Sequence, residues 1–198
     1  MNIAFIGCGK LGMPCAEELA KAGHKVTGYD VAKVKSNFVE IMPTIETTVK
    51  DAQIVFVAVP TPHDSAYDGR APTAHLDPKD FNYNIVKDVL IEANACMYPS
   101  QMLVLISTVL PGTVRRELEP LVTCTRFVYN PYLIAMGSVA WDFLNPEMIM
   151  IGTEDGSDTG DARELINLYK TVIENDPRYV VGTWDECECI KVFYNTFI

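Results

Sequence analysis

The chain has 198 residues, a formal net charge of −10, 48% hydrophobic residues and 21% charged residues. That length suits one sizeable domain, or one domain and the start of another, and the composition excludes a disordered chain. The acidic balance excludes nucleic acid or an anionic membrane surface as the main partner, because a phosphate backbone would be repelled, although backbone amides can still cradle a phosphate locally.

The N-terminal stretch MNIAFIGCGK lacks a basic region ahead of a long apolar core, so it does not read as a signal peptide. The longest apolar runs, such as MLVLI at 102–106, are too short to span a bilayer. Six cysteines are scattered without a framework, so they are expected to be reduced thiols in a cytoplasmic protein. Cys187 and Cys189 have the wrong spacing for a zinc site, and no metal is expected.

In chain order, the apolar run 2–7 reads as a strand and is followed directly by GCGKLG at 7–12. This is the G-x-G-x-x-G spacing, and it opens a predicted helix over 11–22. Gly7 suits a tight turn, Gly9 lets the backbone approach a pyrophosphate, and Gly12 permits close packing of helix on strand. A second strand at 25–30 ends on Asp30, an acid placed to accept both ribose hydroxyls of an adenosine. This arrangement points to NAD. Lys33 and Lys35 lie close by in sequence, where a basic residue could tolerate NADP.

A helix is predicted over 32–40, then a strand at 53–59. Residues 60–80 are rich in Pro, Asp, Ala and Gly with no hydrophobic period, and read as a long loop. Beyond it come a helix at 81–97, a strand at 102–107, a helix at 112–122 and a strand at 126–130. A break at 130–147 is bracketed by Pro131, Gly137 and Pro146. A strand at 148–153, a helix at 159–175 and a strand at 178–182 follow. Several strands are apolar at consecutive positions, as strands buried on both faces must be. The expectation is an α/β fold: a Rossmann-type, doubly wound, mostly parallel sheet with flanking helices. Its bounds are 1–182, and 183–198 begins a long helix, started by a capping box of Thr183 and Glu186 and still running at Ile198.

Four further segments accompany the glycine loop: VFVAVPTP (55–62), ISTVLPGT (106–113), NPYLIAMGSVAWDFLNPEMIMIG (130–152) and ECECIKVFYN (186–195). Together, in this order and spacing, they resemble the UDP-glucose/GDP-mannose dehydrogenase family over nearly the whole chain. The resemblance implies that family's NAD-binding domain and the start of its central dimerisation helix. It further implies an NAD-dependent oxidation of a nucleotide-sugar C6 hydroxyl to a carboxylate, through an enzyme-bound thiohemiacetal and thioester, in a homodimeric enzyme of polysaccharide-precursor synthesis. The residues it marks for the cofactor are Gly7, Gly9, Lys10, Leu11, Gly12, Asp30, Lys35, Val59, Pro60, Thr61 and Thr108. For catalysis it marks Lys191, Asn195 and Thr108, and for the sugar Tyr132, Leu133, Lys191 and Asn195. The lysine can stabilise a developing alkoxide and, with a lowered pKa, move a proton.

Three departures accompany the resemblance. The family has acids where this chain has Tyr132 and Met136. The connection between Asp30 and VFVAVPTP is shorter than in the family. The family's nucleophilic cysteine would lie beyond Ile198, so the protein is expected to continue; Cys8 is expected to face the pyrophosphate instead. Val192, Phe193, Phe197 and Ile198 are expected to make α-helical surface that self-associates. Two alternatives stay open: a β-hydroxyacid or 6-phosphogluconate-type dehydrogenase, which also carries a K-x-x-x-N helix, and a catalytically degenerate NAD-binding module.

Overall fold

The computed structural model describes residues 1–158 and 160–197. Eight strands form one sheet: β1 (Asn2–Ile6), β2 (Lys25–Tyr29), β3 (Glu40–Ile41), β4 (Ile54–Val57), β5 (Met102–Leu105), β6 (Arg126–Tyr129), β7 (Met148–Thr153) and β8 (Arg178–Thr183). Among the described residues six α-helices accompany them: α1 (Gly12–Lys21), α2 (Ile45–Val49), α3 (Asn84–Cys96), α4 (Val139–Leu144), α5 (Gly160–Tyr169) and α6 (Trp184–Phe197). The strand order is β3-β2-β1-β4-β5-β6-β7-β8. Neighbours are parallel except β6 and β7, which meet antiparallel where Tyr129 faces Gly152. The fold is the doubly wound α/β architecture read from the sequence.

Consecutive apolar residues in the central strands feed two separate cores, because alternate side chains leave opposite faces of a sheet. On one face Ile3, Phe5, Phe56 and Val104 pack under Cys15 and Leu19 of α1, Phe143 of α4 and Leu165 of α5. On the other, Ala4, Ile6, Val55 and Leu103 meet Ile45 of α2, Leu90 of α3, and Trp184 and Cys187 of α6. Each large side chain so buried stabilises by roughly 1.5–3 kcal/mol relative to exposure.

Two predicted helices are absent as such. Residues 32–39 are irregular because Ser36 competes for the backbone: its hydroxyl accepts the N–H groups of Phe38 and Val39, both at 3.1 Å, and donates to Glu17. The helix of this connection starts later, at α2, where Thr44 and Thr47 cap each other's backbone N–H. Over 112–122 the chain makes a π-helical turn at Val114–Leu118 and then a 3₁₀ turn at Glu119–Leu121. Pro120, with no N–H to donate, ends regular helix there.

The capping box at the start of α6 is present: Thr183 N donates to Glu186 Oε2 at 2.7 Å, and Glu186 N donates to Thr183 Oγ1 at 3.3 Å. Trp184 and Cys187 are buried in the second core, so the first turns of α6 pack against the sheet. Farther along α6, Val192 is half-buried and Phe193 is exposed; the Phe197 side chain and Ile198 lie outside the described residues. The loop 60–80 carries a single 3₁₀ turn, Ser65–Tyr67, and closes on itself through Asp64 with Lys79 and Tyr67 with the Asp77 carbonyl.

Candidate active site

The switch point of the sheet lies between β1 and β4, where the strand order reverses. Crevices outside the carboxyl ends of strands at such a point are where α/β sheets bind ligands. Here the turn after β1 is held by sterics. Gly7 has φ +94°, and a Cβ on it would lie 2.5 Å from the Ala58 carbonyl oxygen. A Cβ on Gly12 would lie 1.9 Å from the Gly7 carbonyl oxygen, so α1 can sit this close to β1 only without a side chain. Gly9 differs: a Cβ there would meet no atom within 4 Å and would project into open space. That is the approach a bulky ligand needs, with the free N–H groups at the start of α1 beside it.

A cleft of ≈ 360 Å³ opens here, lined by Gly9, Lys10, Leu11, Val59, Pro60, Thr61, Thr108, Tyr132, Met136 and Lys191, among others. Its far wall is two loops tied together. Thr61 Oγ1 donates to the Thr108 carbonyl at 2.7 Å, and Ser107 Oγ donates to the Val59 carbonyl at 2.6 Å. Thr108 lies in the loop that follows β5. Asp30 stands at the carboxyl end of β2, with Oδ1 accepting the Ala32 N–H at 2.8 Å. Lys35 is exposed in the irregular segment after it and does not line the cleft.

Lys191 is the buried cation of the cleft, 6% exposed. Its Nζ donates to the Tyr132 carbonyl at 2.6 Å and lies 3.4 Å from Asn195 Oδ1, so the two residues share one face of α6 as their spacing implied. Burial pushes the ammonium down from 10.5 to about 8. Asn195 itself is exposed and belongs to the adjoining groove between α6 and the 131–147 segment, which Leu133, Ile134 and Trp141 also line.

Two expectations need correction. The Tyr132 hydroxyl does not face the cleft: its ring packs on Phe143, and its hydroxyl donates to Tyr169 at 3.0 Å. Tyr169 donates in turn to Asn130 Oδ1, and Asn130 Nδ2 to the Met150 carbonyl. An aromatic ring at this position is stabilised by the first core, which draws the hydroxyl inward. Burial holds the Tyr132 hydroxyl well above its ordinary pKa. Tyr132 reaches the cleft through its carbonyl, as an acceptor for Lys191. Nor does Cys8 face the phosphate site. Its sulfur is turned inward against Gly28, where an added Cβ would stand 2.7 Å away, and burial pushes the thiol up to about 12.

One participant was not singled out from sequence for what it does. Glu188, fully buried, accepts Gly112 N at 2.6 Å and Val114 N at 2.7 Å, joining α6 to the loop that follows Thr108. The sequence holds no local signal for a bond between residues 76 positions apart.

The glycine turn, the acid ending β2 and the cleft at the switch point define a dinucleotide-binding domain of the dehydrogenase type. The family model for the NAD-binding domain of the UDP-glucose/GDP-mannose dehydrogenase family matches residues 32–173, and the chain belongs to that family. A UDP-glucose 6-dehydrogenase of Rhizobium meliloti is 29% identical over 230 residues, spanning 100% of this chain and 49% of the relative. An uncharacterised protein of Methanocaldococcus jannaschii is 28% identical, over 100% of this chain and 24% of its own length. Among solved structures, a GDP-mannose dehydrogenase from Pseudomonas aeruginosa superimposes with a TM-score of 0.81 at 22% identity, covering 100% of this chain and 50% of that one; at this identity the likeness is one of fold. The chain spans about half the length of most of the curated relatives it matches.

Proposed function

We propose that this chain is the cofactor-binding part of an NAD-dependent nucleotide-sugar 6-dehydrogenase, oxidising the C6 hydroxyl of a UDP- or GDP-sugar. The observation that carries this reading is Lys191, buried, shifted to about 8 and lining the same cleft as Gly9 and Thr108. NAD, when bound, supplies the hydride acceptor. Gly9 leaves room for its pyrophosphate beside the start of α1, and Asp30 offers its carboxylate to the adenosine ribose. Lys191, in its neutral form, takes the proton of the sugar hydroxyl, while Thr108 and the Tyr132 carbonyl hold that amine and oxygen in register.

The same reading makes the full protein a cytoplasmic homodimer that provides sugar acids for polysaccharide synthesis. Among the described residues no helix is long and apolar enough to cross a membrane, and Phe193 on α6 is exposed. The test is NADH formation by the full-length protein with UDP-glucose, GDP-mannose and UDP-N-acetylmannosamine in turn. Turnover with one of them supports the reading. NAD binding without turnover on any of them favours the degenerate module, and turnover on a small hydroxyacid alone favours the hydroxyacid dehydrogenase.

A further inference from the structure

Glu188 stands out among the buried polar groups because both of its oxygens are committed to one short stretch of backbone. Its side chain is fully buried and its oxygens accept Gly112 N at 2.6 Å and Val114 N at 2.7 Å. Gly112 has φ +82°, so the chain turns sharply there; the N–H groups of Gly112 and Val114 both reach Glu188, while the Thr113 N–H between them donates to the Leu110 carbonyl at 3.1 Å. The π-helical turn that follows, Val114–Leu118, has no side-chain cap of its own from Thr113. Its start would otherwise leave backbone donors buried without partners, at a cost of about 1–3 kcal/mol each.

The position of Glu188 on α6 gives this bond a reach beyond local capping. Lys191 lies three residues on, next to Glu188 on the helix surface. Lys191 Nζ grips the Tyr132 carbonyl at 2.6 Å, while Glu188 grips the loop that leaves Thr108. Thr108 is in turn the acceptor for Thr61 at 2.7 Å. One helix therefore holds the segment after β6 with a cation and the loop after β5 with an anion. The cleft lies between the two holds.

We infer that Glu188 is a positioning residue for the reaction proposed above: it sets the distance between Thr108 and Lys191 by clamping the loop 108–114 to α6. It touches neither cofactor nor substrate and acts through the loop. A carboxylate suits the task because it has acceptor capacity on both oxygens and no donor to oppose the two N–H groups. A carboxamide offers one oxygen and turns an N–H₂ toward the other amide.

The experiment compares the full-length protein with Glu188→Gln and with Cys187→Ala. Cys187 is the neighbouring buried residue of α6, packed close to Gly152, and serves as the control for a general loss of packing. Amide hydrogen exchange is expected to rise about tenfold or more over 108–114 in Glu188→Gln while staying unchanged over 7–12. In the oxidation assay kcat is expected to fall about tenfold with KM for NAD within about twofold, and Cys187→Ala, whatever it loses in thermal stability, is expected to keep kcat. Unchanged exchange over 108–114 overturns the inference, as does an equal loss of kcat in a Cys187→Ala protein of matched stability. Should the wild type turn over no sugar nucleotide, the proposed function fails, and the exchange pattern still decides whether Glu188 clamps the loop.

Discussion

At Gly7 and Gly12 a single added methyl group would collide with backbone, at 2.5 and 1.9 Å. At Tyr132 a whole aromatic ring stands where the family resemblance implies an acid, and the surrounding scaffold still forms. Asp142 accepts Ala135 N at 2.8 Å and Ser138 Oγ at 2.9 Å, holding the turn, and Asn130 still bonds Met150. The glycine loop is constrained by backbone-to-backbone distance, which no neighbouring side chain can relieve. The 130–147 segment is constrained by its own hydrogen bonds, so the side chain at 132 can change chemistry and turn inward without undoing it. A motif governed by excluded volume carries its function with its fold; one governed by scaffold bonds can keep the fold and lose the function.

The largest expected effect tests whether the cleft reaction depends on α6. Lys191→Met in the full-length protein should lower kcat by roughly 10²–10⁴-fold while leaving NAD affinity by calorimetry unchanged. Equal losses in both would place Lys191 in binding and erase the division of labour between loop and helix. Next, Gly12→Ala should destabilise the domain by about 1–3 kcal/mol in urea unfolding, because α1 must move off the Gly7 carbonyl. Gly9→Ala sharpens the contrast within the same loop: stability should stay within about 0.5 kcal/mol, whereas NAD affinity should drop about tenfold, or 1.4 kcal/mol. The smallest effect belongs to the hydroxyl chain. Tyr169→Phe should cost about 1 kcal/mol of stability, from the bonds to Asn130 and Tyr132, with no loss of NAD affinity.

The sheet was legible because its strands are buried on both faces, so Ile54–Val57 and Met102–Leu105 are apolar at every position. The glycine loop was legible because its spacing encodes a steric rule. The stretch 32–39 was misread as helix because its Val and Lys pattern fits one, while the deciding event is Ser36 capturing two backbone amides. The start of α2 did carry a signal, Thr44 and Thr47 at capping-box spacing. Lys191 and Asn195 were legible from the four-residue spacing and the resemblance. Where the Tyr132 and Cys8 side chains point, and what Glu188 holds, depend on contacts between segments far apart in sequence, which no local pattern records.

Lys191, its pKa lowered by burial, is the residue proposed to take the substrate proton in the cleft. Its pKa in the folded protein is lowered to about 8 from 10.5, so the neutral amine is scarce below that value and predominates above it. The most direct measurement is the pH dependence of kcat/KM for the full-length protein on the sugar nucleotide it oxidises, alongside Lys191→Arg. The expected profile is a limb rising about tenfold per pH unit up to about pH 8 and levelling above it, absent in the arginine variant. A flat profile through that region, or the same limb in Lys191→Arg, would contradict it.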